Sequence, residues 1–248
     1  MEEQIEGRNP VIEAIKAKRP IHKIFISNDF DRRGPLGQVV WMAKEAGIPV
    51  EYTDQRALSR LSQTGRSQGV IAMAAAKATV ELEDLLRISR EKNERPFYVL
   101  LDGIEDPQNL GAIIRTANAA GVHGVIIPVR RAAGLTSAVS RASAGALEYV
   151  TVARVTNISQ TMERLNKEGI WTVGVDPSGE KNYADVDYKQ SIVLVIGAEG
   201  RGLSRLVREK CEVLVSIPMR GEIGSLNASV ASALVMYEAM RQRAKTPS

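Results

Sequence analysis

Cysteine is nearly absent from this chain. Its 248 residues hold one, Cys211, which can neither form an internal disulfide nor build a structural zinc site by itself. Histidine is almost as scarce, with only His22 and His123. Neither neighbours a plausible nucleophile, which argues against a Ser-His-Asp arrangement. No His/Cys/Asp cluster has metal-ligand spacing, so no metal is expected. No apolar run reaches the ~18 residues of a membrane span. The opening Met1-Glu2-Glu3-Gln4 is acidic and lacks an apolar core, so a secretory signal is not expected. The expectation is a cytoplasmic protein with no membrane partner.

Hydrophobic residues at 44% and charged residues at 25% are what a globular chain carries, which excludes wholesale disorder. The net charge of +4 fits a polyanionic partner without demanding one. Neither half of the chain has a basic tail.

Two compact parts are read from the pattern. Residues 1–76 form a small α/β unit. Asn9-Pro10 reads as a helix start, His22-Lys23-Ile24-Phe25-Ile26 alternates like a strand, Leu36 to Ala46 suits a helix closed by Gly47, and Gly69 to Ala74 is a buried-strand run. Residues 77–94 are polar and amphipathic and read as a partly helical linker. From residue 95 onward the pattern changes. Phe97–Leu101, Gly124–Ile127, Trp171–Val175, Ile192–Ile196 and Val213–Val215 are continuous apolar runs, as strands buried on both faces require. Helical patterns lie between them. The expected class is α/β with a mostly parallel sheet, and ligands in such sheets bind beyond the C-terminal strand ends.

Three segments stand at those ends. The first is Asn109-Leu110-Gly111-Ala112-Ile113-Ile114-Arg115-Thr116-Ala117. Asn109 is expected to cap the helix. Arg115 lies among small residues whose neighbours must approach closely, where a guanidinium suits a phosphate or carboxylate better than a bare solvated face. The second is Ile196-Gly197-Ala198-Glu199-Gly200-Arg201-Gly202-Leu203, a glycine-rich turn with a carboxylate inside it. It is neither a dinucleotide fingerprint nor a phosphate loop with Gly-Lys-Ser/Thr. The third runs from Ile217-Pro218-Met219 to Ser225-Leu226-Asn227-Ala228-Ser229, with Ser225 a candidate cap for the last helix.

Together and in this order, the three segments resemble the SpoU (TrmH-like) family of RNA ribose 2′-O-methyltransferases, over residues 96–243. The first 76 residues resemble the substrate-binding domain, related to RNA-binding ribosomal proteins, of the large-subunit rRNA guanosine methyltransferase branch (RlmB type). The resemblance implies a C-terminal sheet tied into a deep trefoil knot, S-adenosylmethionine as cofactor and an obligate homodimer packed through the first-motif helix and the C-terminal helix. By the same resemblance, Gly197, Ala198, Gly200, Ile217, Met219, Ser225 and Leu226 hold the cofactor. Arg115 has the central catalytic role, with Asn109, Glu199, Ser225 and Asn227 positioning ribose and base. The expected reaction is 2′-O-methylation of a ribose, with a guanosine of 23S rRNA as first candidate. A tRNA or antibiotic-resistance rRNA methyltransferase of the same family and a non-catalytic RNA-binding or ribosome-assembly factor are the alternatives. A small-molecule enzyme on an ordinary nucleotide-binding fold is disfavoured by the missing phosphate-loop glycines. Lys16, Lys18, Arg19, Arg32 and Arg33 are candidate phosphate contacts in the first unit, though a solvated face explains them equally well.

Overall fold

The computed structural model describes residues 2–31 and 33–244. Arg32 lies outside the described residues. The chain divides into two units, Met1–Ala78 with Gly134–Tyr149, and Thr79–Ala133 with Val150–Ser248.

The first unit is built from β1 (Glu2–Glu6), α1 (Arg8–Lys16), β2 (Ile21–Ser27), α2 (Pro35–Glu45), β3 (Val50–Thr53), α3 (Gln55–Leu61) and β4 (Val70–Ala75). The strands form one sheet in the order β1-β4-β2-β3. β4 is antiparallel to both neighbours, whereas β2 and β3 run parallel. The apolar faces of α1 and α2 close over Ile5, Ile24, Ile26, Val70 and Ala72. The start of α1 differs from the sequence reading. The cap is Gly7 rather than Asn9 and the helix begins at Arg8 rather than Pro10, because Gly7 at φ 97° turns the chain into it and the Gln68 side chain accepts the Arg8 N–H.

The later segment Gly134–Tyr149 is held in this unit by charge as well as packing. The buried Arg19 guanidinium donates to Glu148 Oε1 at 2.6 Å, to Glu3 Oε2 at 2.6 Å and to the Ala75 carbonyl. Lys77 donates to the Glu148 carbonyl, and Tyr149 to Glu13. Gly145, at φ 89°, lies so close that a Cβ would stand 2.7 Å from Glu13 Cβ. Arg19 is therefore a structural tie and not a free phosphate contact. Lys16 is paired with Glu13, whereas Lys18 and Arg33 are exposed.

The second unit follows in chain order as α4 (Leu82–Glu91), β5 (Phe97–Asp102), α5 (Pro107–Ala119) and β6 (Gly124–Pro128). α6 (Ser137–Ala142) belongs to the segment returned to the first unit. Then come β7 (Val152–Val155), α7 (Ile158–Lys167), β8 (Trp171–Val175), β9 (Lys181–Asn182), β10 (Ile192–Gly197), α8 (Arg205–Lys210), β11 (Val213–Ser216) and α9 (Ala228–Ala244). Seven strands form one sheet in the order β7-β6-β5-β10-β8-β11-β9, and every pair is parallel. β10 is buried along its whole length. α4 lies in the stretch read as a linker, yet Leu82, Leu85 and Leu86 are buried against Tyr98, Leu100 and Ile126. A Cβ on Gly124 would collide with the Leu85 side chain, so the absence of a side chain there lets α4 seat on β6. Helices α5 and α9 pack on each other. Among the described residues, no helix is long and apolar enough to cross a membrane.

Candidate active site

The C-terminal ends of β8, β10 and β11 open into one cavity of about 350 Å³, in the range of small-ligand sites. Three loops line it, and each loop is shaped by its own sequence. After β10 the chain reverses tightly. Ala198 and Gly202 exchange two backbone hydrogen bonds, of 3.1 and 2.9 Å, and Gly200 and Gly202 take positive φ values of 76° and 64°. Gly197 lies so close to this turn that a Cβ would collide with the Gly202 carbonyl carbon and the Leu203 nitrogen.

After β8 comes Asp176-Pro177-Ser178-Gly179. The buried Asp176 carboxylate accepts from Ser178 N–H and Oγ at 3.0 and 2.6 Å and from Leu203 N–H at 3.3 Å, with Arg208 Nη2 at 3.3 Å. It thereby ties this loop to the β10 loop. Burial alone would raise its pKa. The Ser178 and Leu203 hydrogen bonds and the Arg208 charge outweigh burial and hold it below the ordinary aspartate value. A carboxylate depressed on folding contributes stability above its unfolded pKa of about 3.9, and that stability is lost as pH falls through the lower folded value. The D176N variant is expected to unfold about 1.5–3 kcal/mol more easily at pH 7, with a smaller difference near pH 3. Urea unfolding at both pH values measures this.

The third loop, after β11, supplies Ile217, Pro218, Met219, Gly224, Ser225 and Leu226. Among the described residues, the backbone groups of Ile217, Met219 and Leu226 make no hydrogen bond to protein. Such groups are obligatory hydrogen-bonding partners. Here they border a cavity with apolar walls from Ile196, Leu226 and Ala231. That donor and acceptor set suits a flat heterocycle with polar edges. All seven positions expected to hold the cofactor, Gly197, Ala198, Gly200, Ile217, Met219, Ser225 and Leu226, line this cavity, and so does Glu199.

Beside the cavity, three polar side chains meet. Asn227 Nδ2 donates to Asn109 Oδ1 at 2.9 Å and to Glu199 Oε2 at 3.0 Å, and Asn109 Nδ2 donates to the same carboxylate oxygen at 3.2 Å. Glu199 is thus aimed by two amides. The caps differ from the sequence reading. Asp106, with Pro107 after it, caps α5 by accepting the Asn109 N–H at 2.9 Å, which leaves the Asn109 side chain for Glu199. Asn227, not Ser225, caps α9, accepting from Ser229 N–H at 2.9 Å, and Ser225 is exposed at the cavity. Arg115 is not brought to these groups. It is exposed on α5, does not line the cavity, and among the described residues has no hydrogen-bond or ion-pair partner.

Asp176 was missed by the sequence reading. The signal was present: an apolar run at Trp171–Val175 ends in Asp-Pro-Ser-Gly, a turn at a strand end. The two histidines are elsewhere. His22 is exposed. His123 accepts the Phe97 N–H and pairs with Glu94 at 2.9 Å, fastening the start of β5. Cys211 is a packed thiol whose burial pushes its pKa up to about 12.

A parallel α/β sheet with a cavity walled by three loops at the C-terminal strand ends defines a ligand-binding domain of the α/β class. Residues 96–237 match the model of the SpoU rRNA methylase family, and residues 4–80 match that of the RNA 2′-O ribose methyltransferase substrate-binding domain. The chain belongs to the SpoU family of RNA methyltransferases. It is 47% identical over 237 residues to YacO of Bacillus subtilis, which is assigned to the TrmH family of tRNA/rRNA methyltransferases, covering 96% of this chain and 94% of that one. A Staphylococcus aureus protein with the same family assignment is 41% identical over 239 residues, with 96% of each chain covered. The SpoU methyltransferase AviRb of Streptomyces viridochromogenes, solved with S-adenosylmethionine, superposes with a TM-score of 0.82 at 28% identity over 99% of this chain and 92% of that chain.

Proposed function

We propose that this protein is a cytoplasmic enzyme that methylates a ribose 2′-hydroxyl in RNA, with S-adenosylmethionine as methyl donor and a guanosine of 23S rRNA as first-choice target. One observation carries the reading. The cavity is lined by every residue expected to hold the cofactor, and the Asn109–Glu199–Asn227 cluster adjoins it. Backbone groups of Ile217, Met219 and Leu226 are suited to hold the adenine and methionine ends. The bound cofactor supplies an electrophilic methyl group.

The chain's own residues must do the rest. A ribose hydroxyl is a weak nucleophile, so its oxygen has to be held in line with the methyl and its proton accepted. Glu199, fixed by Asn109 and Asn227, accepts hydrogen bonds from ribose or base, and the exposed Ser225 lines the same cavity. Arg115 clamps the target phosphate and stabilises charge developing on the oxygen; a guanidinium does not itself act as base. Because Arg115 stands outside its own chain's cavity, we assign it to the cavity of a second copy in a homodimer. The exposed Val230, Leu234 and Tyr237 on α9, spaced along one helical face beside α5, are the surface such a dimer would bury. The deep trefoil knot through the C-terminal loops is part of the same reading, as are an RNA-binding domain over residues 1–76, a linker over 77–94 and a methyltransferase domain from 95 onward.

The test is transfer of labelled methyl from S-adenosylmethionine to unmodified 23S rRNA, with tRNA in parallel, followed by mapping of the label. Ribose label on one rRNA guanosine is the expected result. The relatives assigned to tRNA/rRNA methyltransferases favour tRNA as second reading, and label on tRNA alone would select it. Cofactor binding with no label on any RNA or ribosomal particle would favour a non-catalytic RNA-binding factor.

A further inference from the structure

Aromatic side chains are scarce in this protein, with three Phe, two Trp and six Tyr. Three of these eleven nevertheless gather at one groove on the first unit, where Phe30 and Val40 also touch the edge of its core. The groove has a volume of about 590 Å³ and is lined by Asn28 and Phe30 from the loop after β2, Gly37, Val40, Trp41 and Lys44 from α2, and Tyr52 from β3. The four α2 residues fall at i, i+3, i+4 and i+7, so they share one helical face. Trp41 on that face is 63% exposed, and Tyr52, on neighbouring β3, is 51% exposed. The Phe30 and Tyr52 rings lie nearly parallel, at 11°, with centroids 6.0 Å apart.

The polar groups at the groove are free. Lys44 is exposed and has no acidic partner among the described residues, whereas neighbouring Lys23 is paired with Glu51 at 2.9 Å. The Asn28 side chain likewise makes no hydrogen bond, its backbone N–H alone being held by Thr53. The groove thus offers flat π surfaces, one unpaired ammonium and one unpaired amide. Only Val40 is aliphatic, so it lacks the branched anchors with which a groove grips an amphipathic helix. Flat aromatic faces beside a cation suit an unstacked nucleobase and its phosphate.

We propose that this groove is a stacking platform for unpaired nucleobases of the RNA substrate, with Lys44 on the adjoining phosphate. The proposal rests on the RNA methyltransferase reading above and extends it. It assigns the first unit a preference for single-stranded or splayed segments over continuous duplex.

The two tryptophans allow a direct test. In a W171F background Trp41 is the sole indole, and its emission reports on the groove. Oligoadenylate is expected to quench it, and the same strand annealed to oligouridylate is not. W41A/Y52A is expected to lose affinity for oligoadenylate by roughly 5- to 150-fold per unstacked base. W41F/Y52F is expected to retain most of it, and K44A to lower the salt slope by about 0.7. Wild-type far-UV circular dichroism and an unchanged urea-unfolding transition of the first unit show that each variant is folded. Unchanged oligoadenylate affinity in a folded W41A/Y52A protein overturns the proposal and leaves the groove to a protein partner. Equal quenching by duplex and single strand also overturns it. If the wild-type protein shows the single-strand quench yet methylates no RNA, the groove is supported and the enzyme reading fails instead.

Discussion

Replacing Arg115 with alanine is expected to lower methyl transfer to RNA by at least about 100-fold, as removal of a single transition-state donor does. Affinity for S-adenosylmethionine should be unchanged, because the role proposed for Arg115 is on the RNA phosphate and the reacting oxygen and not on the cofactor. Isothermal titration of the cofactor and single-turnover transfer separate the two effects. Lysine in its place should recover only part of the loss, since an ammonium keeps the charge but not the planar fork. Mixed dimers carry the argument further. A protomer with R115A paired with one whose cavity is disabled should form one working site, made of an intact cavity and the partner's guanidinium. No activity in the mixture would reject the shared site. Loss of cofactor affinity in R115A, matching the loss of transfer, would make Arg115 structural.

The second large effect concerns a single methyl group. G197A is expected to lose cofactor affinity and to be destabilised by at least about 3 kcal/mol, the upper end for overpacking a core. A Cβ at Gly197 meets backbone atoms of Gly202 and Leu203, not the flexible end of a side chain. Neither side can yield easily. Gly197 ends the fully buried β10, which is paired on both edges, and the Gly202 turn is pinned by Ala198 and bordered by Asp176, 2.9 Å from where a Gly202 Cβ would lie. For a chain of this length the cost corresponds to a drop in Tm of roughly 6–12 °C. G221A is the control: nothing lies within 4 Å of a Cβ there. Thermal melts and cofactor titration of both variants check this. A G197A protein with wild-type Tm and affinity would mean that the turn after β10 adjusts freely.

Much of the sheet could be read in the sequence because strands buried on both faces are written as unbroken apolar runs. β5, β6, β8, β10 and β11 all announce themselves this way. The missed strands are those at edges. β7 is four residues interrupted by Arg154, β1 is Glu-Glu-Gln-Ile-Glu and β9 is two residues long, so none is written as an unbroken apolar run. α4 reads in the sequence as part of a partly helical linker, because its charged outer face masks the leucines that place it in the core.

The site was legible in its parts and not in its assembly. Asn109, Glu199 and Asn227 each stood out as polar residues at strand ends. That two amides converge on one carboxylate oxygen follows only from the packing of α5 beside α9 and the reversal after β10. The capping residues moved for a local reason: Asp106-Pro107 is a stronger helix start than Asn109, and Asn227 lies directly before the helix that Ser225 was expected to cap. Arg19 shows the opposite failure. Its sequence neighbours are basic, but its partners Glu3 and Glu148 are distant in the chain and invisible to any local reading.

The return of residues 134–149 to the first unit has a consequence for biogenesis. The unit that begins at the amino terminus is completed only when Glu148 has been synthesised, since Arg19 and Lys77 find their partner there. By then β5, α5 and β6 of the second unit have already been made. The nascent chain must therefore carry a half-finished first unit, with a buried arginine still wanting one of its two carboxylates, through the synthesis of the next unit's opening strands. The first unit therefore closes only after part of the second has been made, although the second still awaits β7 to α9.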